Sequence, residues 1–183
     1  MTWLGIIGRV GSGKSTVAKL VHETFGLPIV ELDHLGWAVL EMPDVIAAIT
    51  HQISPNVLHP SGHIDRKRLG TIVFHDPVAL QRLNAISHPV IRAQLPTPTT
   101  PSVLVGALID EIGLRDRCQT IVTVDRADSD ILASNPKAAT ILPHQASREL
   151  FQTRGDWTLH NTTPTQLRTD TLALFKRLLR TVH

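Results

Sequence analysis

Few folds accommodate the run Gly8-Arg9-Val10-Gly11-Ser12-Gly13-Lys14-Ser15-Thr16. It meets the pattern G-x-x-x-x-G-K-[ST] at every fixed position, and that pattern works only between a buried strand and a helix. Both flanks are present. Trp3-Leu4-Gly5-Ile6-Ile7 is a short apolar run that predicts a buried parallel strand. Val17, Leu20, Val21 and Phe25 fall on one helical face, and Gly26 followed by Pro28 stops that helix. Gly8, Gly11 and Gly13 let the backbone turn sharply and bring amide N–H groups close to phosphate oxygens. The N-terminus of the following helix adds unpaired donors and a partial positive charge. Lys14 is placed to neutralise the β- and γ-phosphates, and the Ser15 hydroxyl to take a position on Mg²⁺. With Gly8, Gly11, Ser12, Gly13, Lys14, Ser15 and Thr16 as its binding residues, the segment predicts a site for a nucleoside triphosphate or similar polyphosphate.

The rest of the chain continues the alternation. Leu27-Pro28-Ile29-Val30-Glu31-Leu32 predicts a second buried strand ending at Asp33. Strand, helix and strand in this order make a right-handed parallel βαβ unit. Ligands of such sheets bind beyond the carboxyl ends of the strands, so Asp33 is expected at the same edge as the loop. There it could accept a proton from an attacking hydroxyl or help hold Mg²⁺; the competing role is a helix N-cap. Asp33-His34-Leu35-Gly36 also fits the D-x-x-G pattern of GTPases. The short interval from Lys14 leaves no room for a first switch loop, however, and no N-K-x-D motif follows.

A short helical period over 43–53 is followed by a Pro/Gly-rich loop. Asp65 is expected to cap a helix carrying Arg66, Lys67 and Arg68, with Leu69, Ile72, Val73 and Phe74 inward. Asp76-Pro77 should start a longer helix with Leu83, Ile86 and Val90 buried, interrupted at His88-Pro89. Ser102–Gly106 and Thr120–Val124 read as third and fourth buried strands, and Trp157-Thr158-Leu159 as a last short one. Two short helices are expected within 127–153. Thr163-Pro164-Thr165-Gln166 has a capping-box arrangement, opening a final helix that buries Leu172, Phe175, Leu179 and Val182. Strands separated by helices throughout predict an α/β three-layer sandwich on a parallel β-sheet, the P-loop fold, in one domain over 1–183.

Composition narrows the function classes. The formal charge of +2 is too small to argue for nucleic acid. No apolar run approaches the roughly 18 residues that span a bilayer, and no basic leader or cleavage site precedes the first strand. The single cysteine, Cys118, cannot form an internal disulfide and is expected in the core, and the ten histidines show no metal motif. The expectation is a cytoplasmic, monomeric enzyme without a nucleic-acid or membrane partner.

The chain resembles the dephospho-CoA kinases over nearly its whole length. The likeness rests on Gly8–Ala18, on Pro28–Asp33, on Gly62-His63-Ile64-Asp65-Arg66-Lys67-Arg68-Leu69, and on Ile72-Val73-Phe74. It continues through Leu83-Asn84-Ala85-Ile86-Ser87-His88-Pro89-Val90-Ile91. Weaker matches lie at Ala107–Leu114 and at Asp156–Asn161, the latter similar to an A-D-x-x-I-x-N segment. The resemblance implies ATP with Mg²⁺ on the loop and the ribose 3′-hydroxyl of dephospho-CoA as acceptor. It implies Asp33 as the proton acceptor and Lys14 as the residue stabilising the transferring phosphoryl group, with Ser15 and Asp33 toward the metal. Arg66, His88 and the helices over about 40–95 fall on the acceptor side, with Glu111 near the mouth of the sheet, and residues of about 126–155 form a lid. The chain departs from the family in three places, one of them Ala107, where the family usually has proline. Ile7-Gly8-Arg9 replaces the usual Thr-Gly-Gly, and between Arg126 and Arg148 the only Lys or Arg is Lys137, so the lid lacks its phosphate-reaching arginine. Arg9, Arg148 and Arg154 are the candidates to replace it. Two other readings remain: a related small-molecule kinase with another acceptor, and a catalytically weak paralogue that binds nucleotide or CoA.

Overall fold

The computed structural model describes residues 3–180. The chain divides into two compact units, one made of residues up to 31 and from 97 onward, the other of residues 32–96. The first unit is built on a parallel sheet of five strands, β1 (Trp3–Ile7), β2 (Ile29–Glu31), β3 (Ser102–Val105), β4 (Cys118–Asp125) and β5 (Trp157–His160), in the order β2-β3-β1-β4-β5. All four pairings are parallel. β1 and β3 are buried along their whole length, and so is the carboxyl-terminal part of β4, which explains their near-continuous apolar sequences.

Alternation along β1 sends its residues to opposite faces. Leu4 and Ile6 join Val17, Val21, Phe175 and Leu178 in one core with α1 (Lys14–Phe25) and α8 (Pro164–Arg180). On the other face a Cβ at Gly5 would meet Ile109 and Ile121, and Thr123 donates to the carbonyl of Phe151 at 2.9 Å. That face is thus covered by the turns at 107–114 and by α7 (Arg148–Arg154). Helices, sheet and the second cover form the expected three layers. Between β4 and β5 the chain also makes α6 (Asp128–Ser134) and two 3-10 turns around Pro136 and Pro143, as the prolines predict.

α1 ends where expected, with Gly26 left-handed at φ 70° and its N–H on the His22 carbonyl. Other boundaries shift. The second strand is three residues long rather than six, and Asp33 lies in the first turn of α2 (Leu32–Val39) rather than at a strand end or N-cap. Cys118 is half-buried at the start of β4 rather than in the core. In α8 the buried residues are Leu167, Thr171, Phe175 and Leu178; Leu172 and Leu179 are only half-buried, and Val182 lies outside the described residues. Thr163 caps the Gln166 N–H at 3.2 Å, but the Gln166 side chain turns forward to Asp170 instead of completing a capping box.

The second unit is helical: α2, α3 (Pro43–Gln52), α4 (Arg66–His75) and α5 (Pro77–Gln94), with α5 packed against the other three. Its starts follow the sequence signals. Asp65 accepts from the N–H groups of Lys67 and Arg68, and Asp76 from those of Val78 and Ala79. Two expectations fail. Phe74 is 46% exposed, so α4 packs through Leu69 and Val73. α5 runs unbroken through His88-Pro89 and buries Ala79, Ser87 and Ile91, while the expected Leu83, Ile86 and Val90 are half-buried. Proline removes one backbone bond, but an 18-residue helix held by three neighbours tolerates that loss.

Candidate nucleotide site and acceptor residues

The sheet order places β1 between β3 and β4, so the chain leaves β1 in one direction and later returns on its other side. Crevices at such switch points, beyond the carboxyl ends of parallel strands, are where open α/β sheets bind ligands. The loop 8–13 occupies that position. Gly8, Gly11 and Gly13 have φ of 153°, 72° and 107°, in the region where a side chain is strained. Each is also crowded on the protein side. A Cβ would lie 2.5 Å from the Val124 carbonyl at Gly8, 2.8 Å from Ile131 at Gly11, and 2.6 Å from the Asn161 amide nitrogen at Gly13.

The loop is tethered to residues distant in sequence. Asn161, immediately after β5, donates to the Ser12 carbonyl at 2.9 Å, and the Val10 N–H donates to Gln145 Oε1 at 2.9 Å. Arg126 reaches the Gly11 carbonyl at 3.4 Å. Arg9 is 8% exposed and forms an ion pair with Asp128 at the start of α6. Lys14 Nζ donates to the Arg9 carbonyl at 3.0 Å, within the arch of the loop.

The donor set fits a polyphosphate with a hard cation. Gly13 at the N-terminus of α1 supplies no capping side chain, so the first amides of the helix have no intrahelical acceptor. Ser15 and Thr16 present exposed hydroxyls in that turn, and the buried Ser12 hydroxyl has no hydrogen-bond partner in the protein. Among the described residues no cluster of three His, Cys, Asp or Glu could hold a metal by itself. Mg²⁺ ordinarily takes only one or two protein ligands beside phosphate oxygens and water.

Next to the loop lies a charged cluster centred on Asp125. Asp125, at the end of β4, is 5% exposed. Arg148 donates to it twice, at 2.7 Å through both Nε and Nη2; Gln152 donates at 3.0 Å, and His160 Nδ1 lies 3.2 Å away. The Arg148 guanidinium holds the carboxyl well below its ordinary value, at about 2, against the opposing effect of burial. Asp125 thereby fastens α7 to the sheet. Its only sequence signal was its place at the end of a strand, and Gln145 carried none; Asn161 closes the A-D-x-x-I-x-N-like segment.

Glu111 lies on the turns after β3, with its carboxylate 2.7 Å from Arg154 Nη1, and Arg154 also faces Asp110 at 3.6 Å. The three arginines considered as substitutes for a lid arginine therefore all hold acidic partners in the protein: Arg9 on Asp128, Arg148 on Asp125 and Arg154 on Glu111. In the helical unit Asp33 is exposed on α2 and His88 is half-buried on α5. Arg66 opens α4 with its guanidinium 5.1 Å over the Trp37 ring.

A phosphate loop at the switch point of a five-stranded parallel sheet, with helices on both faces, defines an α/β P-loop nucleotide-binding protein of the kinase type. A family model described as dephospho-CoA kinase matches residues 2–166, and the chain belongs to the dephospho-CoA kinase family. It is 37% identical over 137 residues to a dephospho-CoA kinase of Geobacter sulfurreducens, covering 69% of each chain. It is 40% identical over 92 residues to one of Xanthomonas euvesicatoria, a match spanning 50% of this chain and 45% of that one. The chain thus spans between about half and two thirds of the length of these curated relatives. A solved structure from Thermus thermophilus superposes with a TM-score of 0.80 at 26% identity, covering 97% of both chains. No helix among the described residues is long and apolar enough to cross a membrane.

Proposed function

We propose that the protein transfers the terminal phosphoryl group of ATP to the ribose 3′-hydroxyl of dephospho-CoA, giving coenzyme A and ADP. The observation that carries this reading is the intact phosphate loop, whose Gly8, Gly11 and Gly13 leave no room for a side chain beside Val124, Ile131 and Asn161, in a chain of the dephospho-CoA kinase family. The amides that open α1 bind the triphosphate, and Lys14 meets the negative charge on the transferring group. Asp33 accepts the proton of the attacking hydroxyl. Ser15 and Asp33 would hold Mg²⁺, which when bound neutralises phosphate charge. Arg66 and His88 belong to the acceptor side, within the helical unit proposed as the acceptor-binding part. Glu111 is the third acceptor-side residue; its ion pair with Arg154 orients it. The segment 126–155 acts as the lid that excludes water, within what we take as one kinase domain acting as a cytoplasmic monomer.

A weakly active paralogue remains the second reading, because Arg148 and Arg154 of the lid are engaged with Asp125 and Glu111 and an arginine on the transferring phosphate can be worth about a thousandfold or more in rate. ADP release from ATP, Mg²⁺ and dephospho-CoA decides between them. Acceptor-dependent turnover that disappears in Lys14→Ala and Asp33→Asn is the expected result. A folded protein that binds ATP without turning over dephospho-CoA would refute the first reading and favour the second.

A further inference from the structure

The helical unit carries an exposed tryptophan on α2. Trp37 is 48% exposed. Arg66, from the first turn of α4, places its guanidinium 5.1 Å over the ring, and His34 lies 5.1 Å away with its ring tilted by 51°. These contacts hold an indole in place while leaving about half of the residue open to solvent. An aromatic ring fixed this way, with a cation beside it, is the arrangement that binds a nucleobase: every base has a π-face, and its phosphates need a positive partner.

Helix geometry adds the second observation. Asp33 and Trp37 are four residues apart on α2, hence on one face and about 6 Å apart along the axis. If Asp33 takes the proton of a ribose hydroxyl, the base on that same ribose must lie about one helical turn away. Trp37 occupies that place on the helix. We infer that Trp37 is the stacking platform for the adenine of the acceptor, with Arg66 stiffening the platform and meeting the acceptor's diphosphate. The inference rests on the proposed reaction. It adds to that reaction a residue that fixes which hydroxyl reaches Asp33.

The test uses the full chain and two probes, dephospho-CoA and 4′-phosphopantetheine, which lacks the adenosine. Dephospho-CoA should quench tryptophan fluorescence in the wild type and not in Trp37→Phe, whereas 4′-phosphopantetheine should leave it unchanged. In steady-state kinetics Trp37→Ala should raise KM for dephospho-CoA by about 5- to 150-fold, the range for losing one base–aromatic stack. Its KM for ATP should stay within about twofold of wild type. Trp37→Phe keeps a π-face and should hold the acceptor KM within about threefold. A wild type that turns over dephospho-CoA while Trp37→Ala leaves that KM unchanged refutes the platform and spares the reaction. Equal quenching by 4′-phosphopantetheine overturns the assignment to the base. A wild type that neither binds nor phosphorylates dephospho-CoA overturns the reaction, and the platform with it.

Discussion

Replacing Asp125 by asparagine removes the charge that fastens α7 to the end of β4. The carboxyl's fall from its ordinary 3.8 to about 2 corresponds to about 2 kcal/mol of stability at neutral pH. Loss of the bidentate geometry with Arg148 adds to this, while the partial exposure of Arg148, 37%, lets water take up part of its charge. The net expectation for Asp125→Asn is a loss of about 2–3 kcal/mol at pH 7, which for a chain of this size lowers Tm by roughly 5–10 °C. Urea denaturation followed by circular dichroism measures it. In a double-mutant cycle with Arg148→Met, the two changes should couple by about 2 kcal/mol. The pH dependence has a definite sign. Because the folded value is depressed, the contribution is complete above the unfolded value and is lost as pH falls through the folded one. The gap between wild type and Asp125→Asn should therefore be full above about pH 5, about half closed near pH 3 and gone near pH 1. A variant within about 0.5 kcal/mol of wild type at pH 7, or a coupling below that size, would refute the view that this cluster secures the segment beside the loop.

Asn161→Ala removes the donor to the Ser12 carbonyl; it should cost about 1 kcal/mol in urea denaturation and raise KM for ATP, with KM for dephospho-CoA unchanged. The Cys118 thiol is pushed up to about 12 by burial, so at pH 8 it should react with a thiol-specific alkylating reagent far more slowly in the native protein than in urea, as mass spectrometry of the modified fraction will show.

The phosphate loop, the order of strands and helices, and the caps at Asp65 and Asp76 were legible in the sequence because each rests on local chemistry: glycine at turns, apolar runs in buried strands, carboxylates at helix starts. The same local reasoning failed where packing overrides propensity. Proline at 89 predicts a break, yet α5 stays whole because three helices pack along it. The short second strand put Asp33 on a helix, where it shares a face with Trp37, and no periodicity marked that tryptophan as exposed. Asp125 illustrates the limit most clearly. Its partners Arg148, Gln152 and His160 lie 23 to 35 residues away, so nothing in its neighbourhood announces a buried, fully bonded carboxylate. The sequence by itself determined what the loop is made of and that a parallel sheet carries it. Only the tertiary structure decided which arginines and amides brace that loop, because those bonds depend on distances that chain separation does not encode.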